Sequence, residues 1–455
     1  MNNIVKNSVF KFFEEISKIP RNSGDEKSMQ NYLVNFAISR NLPFYTDEFN
    51  NVIIFKKTAN VEPIILQAHT DMVCVKSPKS SVDFKKDPIT LIKKGNFLKA
   101  KETSLGADDG IGVALILDIL DSDIPCNIEA VFTSEEETTM QGAYKIDVKK
   151  LKSKQMICLD GFDGNTILTS SASFVDFYVT FNTDRFMIEN TNQTKTYLLS
   201  ISGLEGGHSG FDIDKDRGSS HKLLVQLLTK IDDAKLVKFY GGHNYNVIPS
   251  RSECVFTTNL PEKDLKKIIK YFYITNKKTY KNLKIKCSRQ LNQTIVSKNS
   301  QNFINFVKDF KQGVQFKDEN SYIIASQNLS EVNLEKGFMK IGLRSSDKKK
   351  EEHLVKNLKI LCEKYDFVGK VLDSQPAFNT QENSNLLKKL IQTGNNPKQT
   401  KMHIAVECGI FQERIKNLDV VIISPTITDA HSVNETLDIQ STIDTSNWLK
   451  NFLKN

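Results

Sequence analysis

Four short apolar runs in this chain each lead into residues that bind metals or move protons. Ile64-Ile65-Leu66 is followed by Gln67-Ala68-His69-Thr70-Asp71, and Ile128 to Phe132 by Thr133-Ser134-Glu135-Glu136-Glu137. Met156-Ile157-Cys158-Leu159 is followed by Asp160, and Val420 to Ile423 by a loop that carries Asp429, His431 and Ser432. A fifth piece, Gly106-Ala107-Asp108-Asp109-Gly110, opens a run that is apolar at helical spacing. Its glycines allow a sharp turn, and its two acids sit at the positive end of the helix dipole. Mixed imidazole and carboxylate ligands suit zinc, cobalt or manganese. Two such ions about 3.5–4 Å apart can share a hydroxide and clamp a tetrahedral intermediate. Taken singly, each piece is a polar pair, a solvated turn or a helix cap. Their shared position after apolar runs is what points to hydrolysis at one metal site.

The elements that must position these residues are the strands of an α/β sheet, where ligands bind at the carboxyl ends. Val9, Phe12, Phe13, Ile16 and Ile19 recur at helical spacing, and Pro20 ends the run. Met29 to Ala37 and Gly110 to Leu120 predict further helices, and Val52 to Phe55 another strand. From about residue 184 to 372 the texture changes to polar strands and lysine-rich helices, such as a strand over 196–201, a helix over 221–231 and a strand over 338–343. After that the first texture returns, with a helix over 383–393 and a last one over 442–453. The expected architecture is therefore an α/β domain built from residues 1–183 and 373–455, interrupted by an α+β domain over 184–372. No internal sequence repeat is visible.

Composition narrows the classes. The chain has 455 residues, 39% hydrophobic and 25% charged, which is globular and not disordered. The net charge of +8 comes with lysines along the whole chain and no recognition motif, so a solvated surface is favoured over nucleic-acid binding. Lys348-Lys349-Lys350-Glu351-Glu352 reads as a solvated helix start. No stretch approaches the roughly 18 apolar residues that span a bilayer, and early charges interrupt any signal-peptide pattern. The expectation is a cytoplasmic protein without membrane or nucleic-acid partners. Seven cysteines without a CxxC pair read as reduced thiols, which argues against a thiolate zinc site.

The motifs also carry a resemblance. Leu66-Gln-Ala-His-Thr-Asp-Met-Val73, Leu105-Gly-Ala-Asp-Asp-Gly-Ile-Gly112, Glu136-Glu137 and Gly203-Leu-Glu-Gly-Gly-His-Ser-Gly210 follow one another in order. Val406-Glu-Cys-Gly-Ile-Phe411, Ser424 to Thr428 and His431-Ser432 complete the series. Together they resemble the co-catalytic dizinc peptidases, a family that includes aminoacyl-histidine dipeptidases, peptidase T, carnosinases and aminoacylases. The likeness spans nearly the whole chain and is strongest to the Xaa-His dipeptidase branch.

The resemblance implies a fold, a reaction and roles. The fold is a phosphorylase/hydrolase-like dizinc catalytic domain, discontinuous in sequence, with an inserted α+β lid. The reaction is hydrolysis of dipeptides, Xaa-His above all, by a metal-bridging hydroxide with a glutamate base. The cofactors are two divalent ions, zinc first and cobalt or manganese as substitutes. Asp108 would bridge them, His69 and Asp160 would complete one site, and Glu137 and His431 the other. Asp71 would orient His69, Glu136 would be the general base, and the Asp108–Asp109 peptide would be cis. His208 would stabilise the oxyanion, often across a dimer formed through the lid. Asn246 and Arg344 would contact the substrate, Arg344 at its free carboxylate, with His403 and Glu407 lining the pocket. Thr138-Thr139, Ser170 to Phe174 and Phe211 depart from the family pattern and bear on substrate preference. The alternatives are a tripeptide aminopeptidase, an N-acyl amino acid deacylase, or a catalytically silent binding protein.

Overall fold

The computed structural model describes residues 5–189 and 193–455. The chain divides into two compact units. Unit 1 comprises Met1–Ser171, Phe378–Lys401 and Val406–Asn455, and unit 2 comprises Ala172–Ala377 and Met402–Ala405. The boundaries expected at 183/184 and 372/373 therefore need correction. The strand Ser173–Thr180, assigned from the sequence to the outer domain, and the strand Val368–Gln375, which the expected 372/373 boundary cuts, pair with each other inside the sheet of unit 2. A short return of the chain at residues 402–405 also belongs to unit 2. No proline-rich linker marks these crossings, so hydrogen-bond partners and not composition define them.

Unit 1 is built on an eight-stranded sheet. Its order is Phe44–Thr46, Val52–Lys57, Asn127–Thr133, Ile64–His69, Gln155–Cys158, Asp419–Ile422, Thr166–Leu168 and Lys398–Thr400. The strands Asn127–Thr133, Ile64–His69, Gln155–Cys158 and Asp419–Ile422 are neighbours and mutually parallel. Every residue of Ile64–His69 and of Asp419–Ile422 is buried, which is why these segments read as unbroken apolar runs. The helix Ala107–Asp121 is buried around nearly its whole circumference. It packs between the strand Ile64–His69 and the helix Ser8–Ile16, whose phenylalanines Phe10, Phe12 and Phe13 join the same core. The Asp108–Asp109 peptide at its start is cis.

Unit 2 has its own core and a nine-stranded antiparallel sheet. Burial alternates along Ser173–Thr180 and Lys195–Ser202, as expected for a sheet covered on one face. The sheet contains a duplication that the sequence does not reveal. One βαββαβ motif runs through Lys195–Ser202, helix Ser220–Leu228, Lys235–Gly241, Ser252–Thr258, helix Glu262–Lys277 and Lys284–Gln290. A second runs through Ser173–Thr180, helix Ser300–Asp309, Ile323–Asn333, Phe338–Ser345, helix Lys348–Lys364 and Val368–Gln375. In both, the spatial order of strands is fourth, first, third, second. The two second strands pair antiparallel, through Tyr240 with Asn333 and Gly241 with Val332, and fuse the motifs into one sheet. The first motif sits within the second, between its opening strand and its first helix, and this insertion hides the repeat from a linear reading.

Candidate active site

The four central parallel strands of unit 1 deliver their acids and histidine from the same ends. His69 is the last residue of its strand, and Asp71 follows two residues on. Glu136 and Glu137 lie just past Asn127–Thr133, and Asp160 just past Gln155–Cys158. His431 lies on the loop between Ile427–Thr428 and Thr436–Asp438, and Asp108 at the kinked start of helix Ala107–Asp121. Glu135 and His431 both adopt left-handed backbone conformations, with φ of 56° and 61°. Such backbone strain in residues other than glycine concentrates at functional sites.

These side chains converge. His69 Nε2 lies 3.1 Å from Asp108 Oδ1, and His431 Nε2 lies 2.9 Å from Asp108 Oδ2. His431 Nε2 is also 2.9 Å from Glu137 Oε1. A group of His69, Glu136 and Glu137 and two overlapping triads, His69–Asp108–Asp160 and Asp108–Glu137–His431, result, each with ligand atoms within 4.8 Å of one another. Asp108 belongs to both overlapping triads. Behind His69, Asp71 Oδ1 stands 3.3 Å from Nδ1, as a carboxylate that orients a ligating imidazole does. Asp71 also accepts the backbone N–H groups of Glu136 and Glu137, both at 3.1 Å. One carboxylate thus fixes both the histidine and the acidic loop. Glu407, the first residue of helix Glu407–Arg414, accepts from Gln67 at 2.8 Å and Thr133 at 2.6 Å, while its Oε1 has no hydrogen bond among the described residues.

The electrostatics of this cluster call for cations. Burial, reinforced by Asp108, pushes Asp160 up to about 7, and burial pushes Glu407 up to about 8. Burial and then Asp160 and Glu137 raise Glu136 well above the carboxylate range, against the pull of His69. Burial likewise works to raise Asp108, but hydrogen bonds from His431 and His69 outweigh it and hold it low. His431 is lifted to about 10 against burial by Asp108 and Glu137. Two imidazoles are too few positive charges for this many buried carboxylates. Divalent ions would supply the rest, and the mixed oxygen and nitrogen donors fit zinc, cobalt or manganese.

The remaining expected residues fall in unit 2. His208 is on the short strand Gly207–His208 and Arg344 on Phe338–Ser345. Gly207 (φ 134°) must be glycine, because a Cβ there would collide with the Asp212 carboxylate that accepts the His208 N–H. Arg344 Nη2 lies 3.3 Å from His208 Nε2, and its Nε donates to Ser209 Oγ at 3.2 Å. The guanidinium stacks 4.3 Å from the Phe174 ring centroid and is only 4% exposed. Among the described residues no carboxylate lies within ion-pairing distance of it, and burial pulls it down to about 9. His403 accepts or donates at Ser326 Oγ, 2.7 Å away, and burial followed by Arg344 holds it near 3. Asn246 meets this cluster through its backbone carbonyl, which accepts from Ser209 N at 2.7 Å. Of the three departures from the family pattern, Thr138 and Thr139 are exposed and Ser171 is buried against Phe378. Phe211 is half exposed, with its ring 5.1 Å from that of His208.

Some residues that build the site were not among those expected. Ser23 donates to Asp71 Oδ2 at 2.7 Å, and Glu26 accepts the Glu135 N–H at 3.0 Å. Arg21 and Glu435, each 2% exposed, contact the loops that carry the triads. Glu435 stands three residues past the His431-Ser432 motif and Arg21 far from any motif, and a single charge is not distinctive in a chain that is one-quarter charged.

The profile described as "Peptidase family M20/M25/M40" matches residues 65–455. The chain is 28% identical over 454 residues to the cytosol non-specific dipeptidase of Escherichia coli, covering 94% of this chain and 93% of that protein. Its structure resembles that of the aminoacylhistidine dipeptidase of Vibrio alginolyticus, with a TM-score of 0.85, 26% identity, and coverage of 98% and 96% of the two chains. A more distant likeness, to the aminopeptidase PepT of Bacillus cereus, has a TM-score of 0.57 at 14% identity, covers 98% and 97% of the two chains, and bears on the fold alone.

Proposed function

Because the chain belongs to peptidase family M20/M25/M40 and so is a hydrolase of peptide bonds, we propose that it is a metal-dependent dipeptidase whose substrates include Xaa-His dipeptides. The observation that carries this reading is the pair of triads sharing Asp108, with the half-buried Glu136 beside them. His69, Asp108 and Asp160 would hold one divalent ion, and Asp108, Glu137 and His431 the other, with zinc the first choice. Bound there, the ions supply Lewis acidity that offsets the carboxylates, polarises the scissile carbonyl and acidifies water. Glu136 takes the proton of the attacking water and passes it to the leaving amine. Asp71 keeps Glu136 in place through the backbone and His69 in orientation through its ring.

Arg344 is suited to the free carboxylate of a dipeptide. It is a planar double donor, buried, and among the described residues without an anion at ion-pairing distance. His208 would donate to the oxyanion. The unbonded Glu407 Oε1 is an acceptor suited to the substrate ammonium, and Asn246 and His403 would be substrate contacts supplied by unit 2. A cytoplasmic location and a homodimer formed through unit 2 belong to the same proposal. Among the described residues no helix is long and apolar enough to cross a membrane.

The test is hydrolysis of a panel of Xaa-His dipeptides, including β-alanyl-histidine, with tripeptides and N-acyl amino acids alongside, before and after chelation. Chelator-sensitive cleavage confined to dipeptides is expected. Cleavage of tripeptides or acyl amino acids in preference to dipeptides would overturn the substrate assignment, and full activity after exhaustive chelation would overturn the mechanism.

A further inference from the structure

We infer that Glu435 and Arg21, which are neither ligands nor bases in the reading above, are positioning residues that set Asp108 between its two cation sites. The inference rests on that reading, because it gives Asp108 the shared place in both triads.

Glu435 lies four residues beyond His431 on the same loop. Its Oε2 accepts the backbone N–H groups of Leu105 at 2.8 Å and Gly106 at 3.0 Å. Its Oε1 accepts those of Ala107 at 2.8 Å and Asp108 at 3.3 Å. Four consecutive N–H groups thus converge on one carboxylate, a concave anion-holding arrangement at the start of a helix where backbone donors lack internal partners. With its own N–H held in this way, Asp108 directs its carboxylate to His69 on one side and His431 on the other.

Arg21 acts on the same turn through its carbonyl. Its Nη2 donates to Gly106 O, and its Nη1 donates to Thr70 O at 3.2 Å and Asp71 O at 3.0 Å. The guanidinium occupies the space where a Cβ on Gly106 or Gly110 would stand, which is the physical reason both positions lack a side chain. One guanidinium therefore ties the His69–Asp71 turn to the Asp108 turn, and one carboxylate ties the His431 loop to it.

The distribution of these bonds favours a role in the site over a role in the fold at large. All three side-chain hydrogen bonds of Arg21 and all four of Glu435 end on residues 70–71 and 105–108. A helix start can be capped by a serine or aspartate at the surface. Burying two full charges is a costly alternative, and here its whole effect falls on the turns that carry ligands.

Asp108 serves both cation sites, so disturbing it weakens both ions together, whereas disturbing the His431 loop alone weakens one. Glu435→Gln keeps the shape but turns an NH2 group toward two N–H donors. Zinc and, separately, cobalt would be titrated calorimetrically into chelated parent, Glu435→Gln, Arg21→Lys and Asp160→Asn proteins, with thermal unfolding of each metal-free protein measured in parallel. The expected result for the Glu435 and Arg21 variants is a fall of roughly 10–100-fold in affinity at both sites, as outer partners of ligands typically produce. It should come with a lower kcat for dipeptides at unchanged KM. Asp160→Asn should weaken one site predominantly. Unchanged affinities in folded Glu435→Gln protein, or a loss confined to one site, would overturn the assignment. If Glu435→Gln does not fold, Glu435→Asp keeps the charge, shortens the reach and is judged by the same two outcomes. Parent protein that takes up no ions would sink the dizinc reading and this inference with it, whereas parent protein that binds two ions without cleaving dipeptides would sink only the substrate.

Discussion

The acidic cluster of unit 1 and the Arg344 cluster of unit 2 present opposite imbalances. In unit 1, Asp108, Asp160, Glu136, Glu137 and Glu407 crowd around two histidines, and burial drives most of the acids toward the neutral form. In unit 2, a buried guanidinium has hydroxyl, imidazole and aromatic neighbours but, among the described residues, no carboxylate within ion-pairing distance. An ordinary core avoids both conditions, because an unpaired buried charge costs several kcal/mol. The difference separates two kinds of partner. An excess of carboxylates suits resident cations, while a lone planar cation suits an anion that comes and goes.

Substitutions on the two sides should therefore fail differently. The largest effect is expected for Glu136→Gln, which removes the proposed proton carrier without removing a ligand of either triad that shares Asp108. Its kcat should fall by roughly 10²–10⁴-fold, with metal content, measured by atomic emission, unchanged. Loss of metal together with activity would move Glu136 from base to ligand. Next is Arg344→Met. Charge-assisted hydrogen bonds contribute about 1.5–3 kcal/mol, so kcat/KM for dipeptides should drop roughly 10–100-fold. Because the parent buries an unpaired charge, the thermal midpoint of Arg344→Met should hold steady or rise. A clear fall in the midpoint would show that Arg344 is structural, and the contrast between the two clusters would collapse.

Acidity separates the two units as well, through groups outside the triads. Buried His221 in unit 2 accepts from Ser252 at 2.7 Å and faces Ser330 O, and burial lowers it to about 4. The unfolded chain then binds the extra proton between about pH 6.5 and 4, so stability falls as pH drops through that window, by on the order of 3 kcal/mol. Glu407 in unit 1 has the opposite sign. Burial raises it to about 8, so the native state holds the extra proton, and stability falls as pH rises from about 4.5 through 8. Hydrogen exchange of chelated protein across pH 4 to 8 should show unit 2 loosening at the acid end and unit 1 at the alkaline end. Glu407→Gln should lessen the slope of the alkaline limb and leave the acid limb unchanged. A uniform response of both units at either end would remove the distinction.

Unit 1 was the more legible half. Its parallel strands are buried on both faces, so Ile64 to Leu66 and Val420 to Ile423 stand out as apolar runs, and the reactive residues follow them directly. Unit 2 hid more. Its strands are half-exposed and read as polar, and its duplication is masked because one βαββαβ motif interrupts the other. The crossing points near residues 171 and 377 were missed because the strands beside them are marked only by whom they pair with. Arg21 and Glu435 were invisible for a related reason. Their partners are backbone groups, and backbone groups leave no trace in residue identity.

The smallest predicted effect concerns the residue that departs most visibly from the family pattern. Phe211 is 50% exposed, and its ring lies 5.1 Å from that of His208 at a 41° tilt. Gly210 N at 3.2 Å and Phe211 N at 3.4 Å both donate to His208 Nδ1, which leaves Nε2 as the nitrogen near Arg344. The backbone therefore already selects the ring orientation, and the phenyl group adds only packing. An aromatic contact of this kind contributes about 0.5–1.5 kcal/mol beyond area burial, so Phe211→Gly should change kcat/KM by roughly 2–10-fold. If His208 has the role proposed for it, the change should depend on the dipeptide, because an exposed ring beside that imidazole would meet the substrate side chain and leave the peptide bond alone. A uniform loss across the panel would instead mean that Phe211 positions His208. It would then join the guanidinium cluster as part of the machinery, and the departure from the family pattern would say nothing about preference.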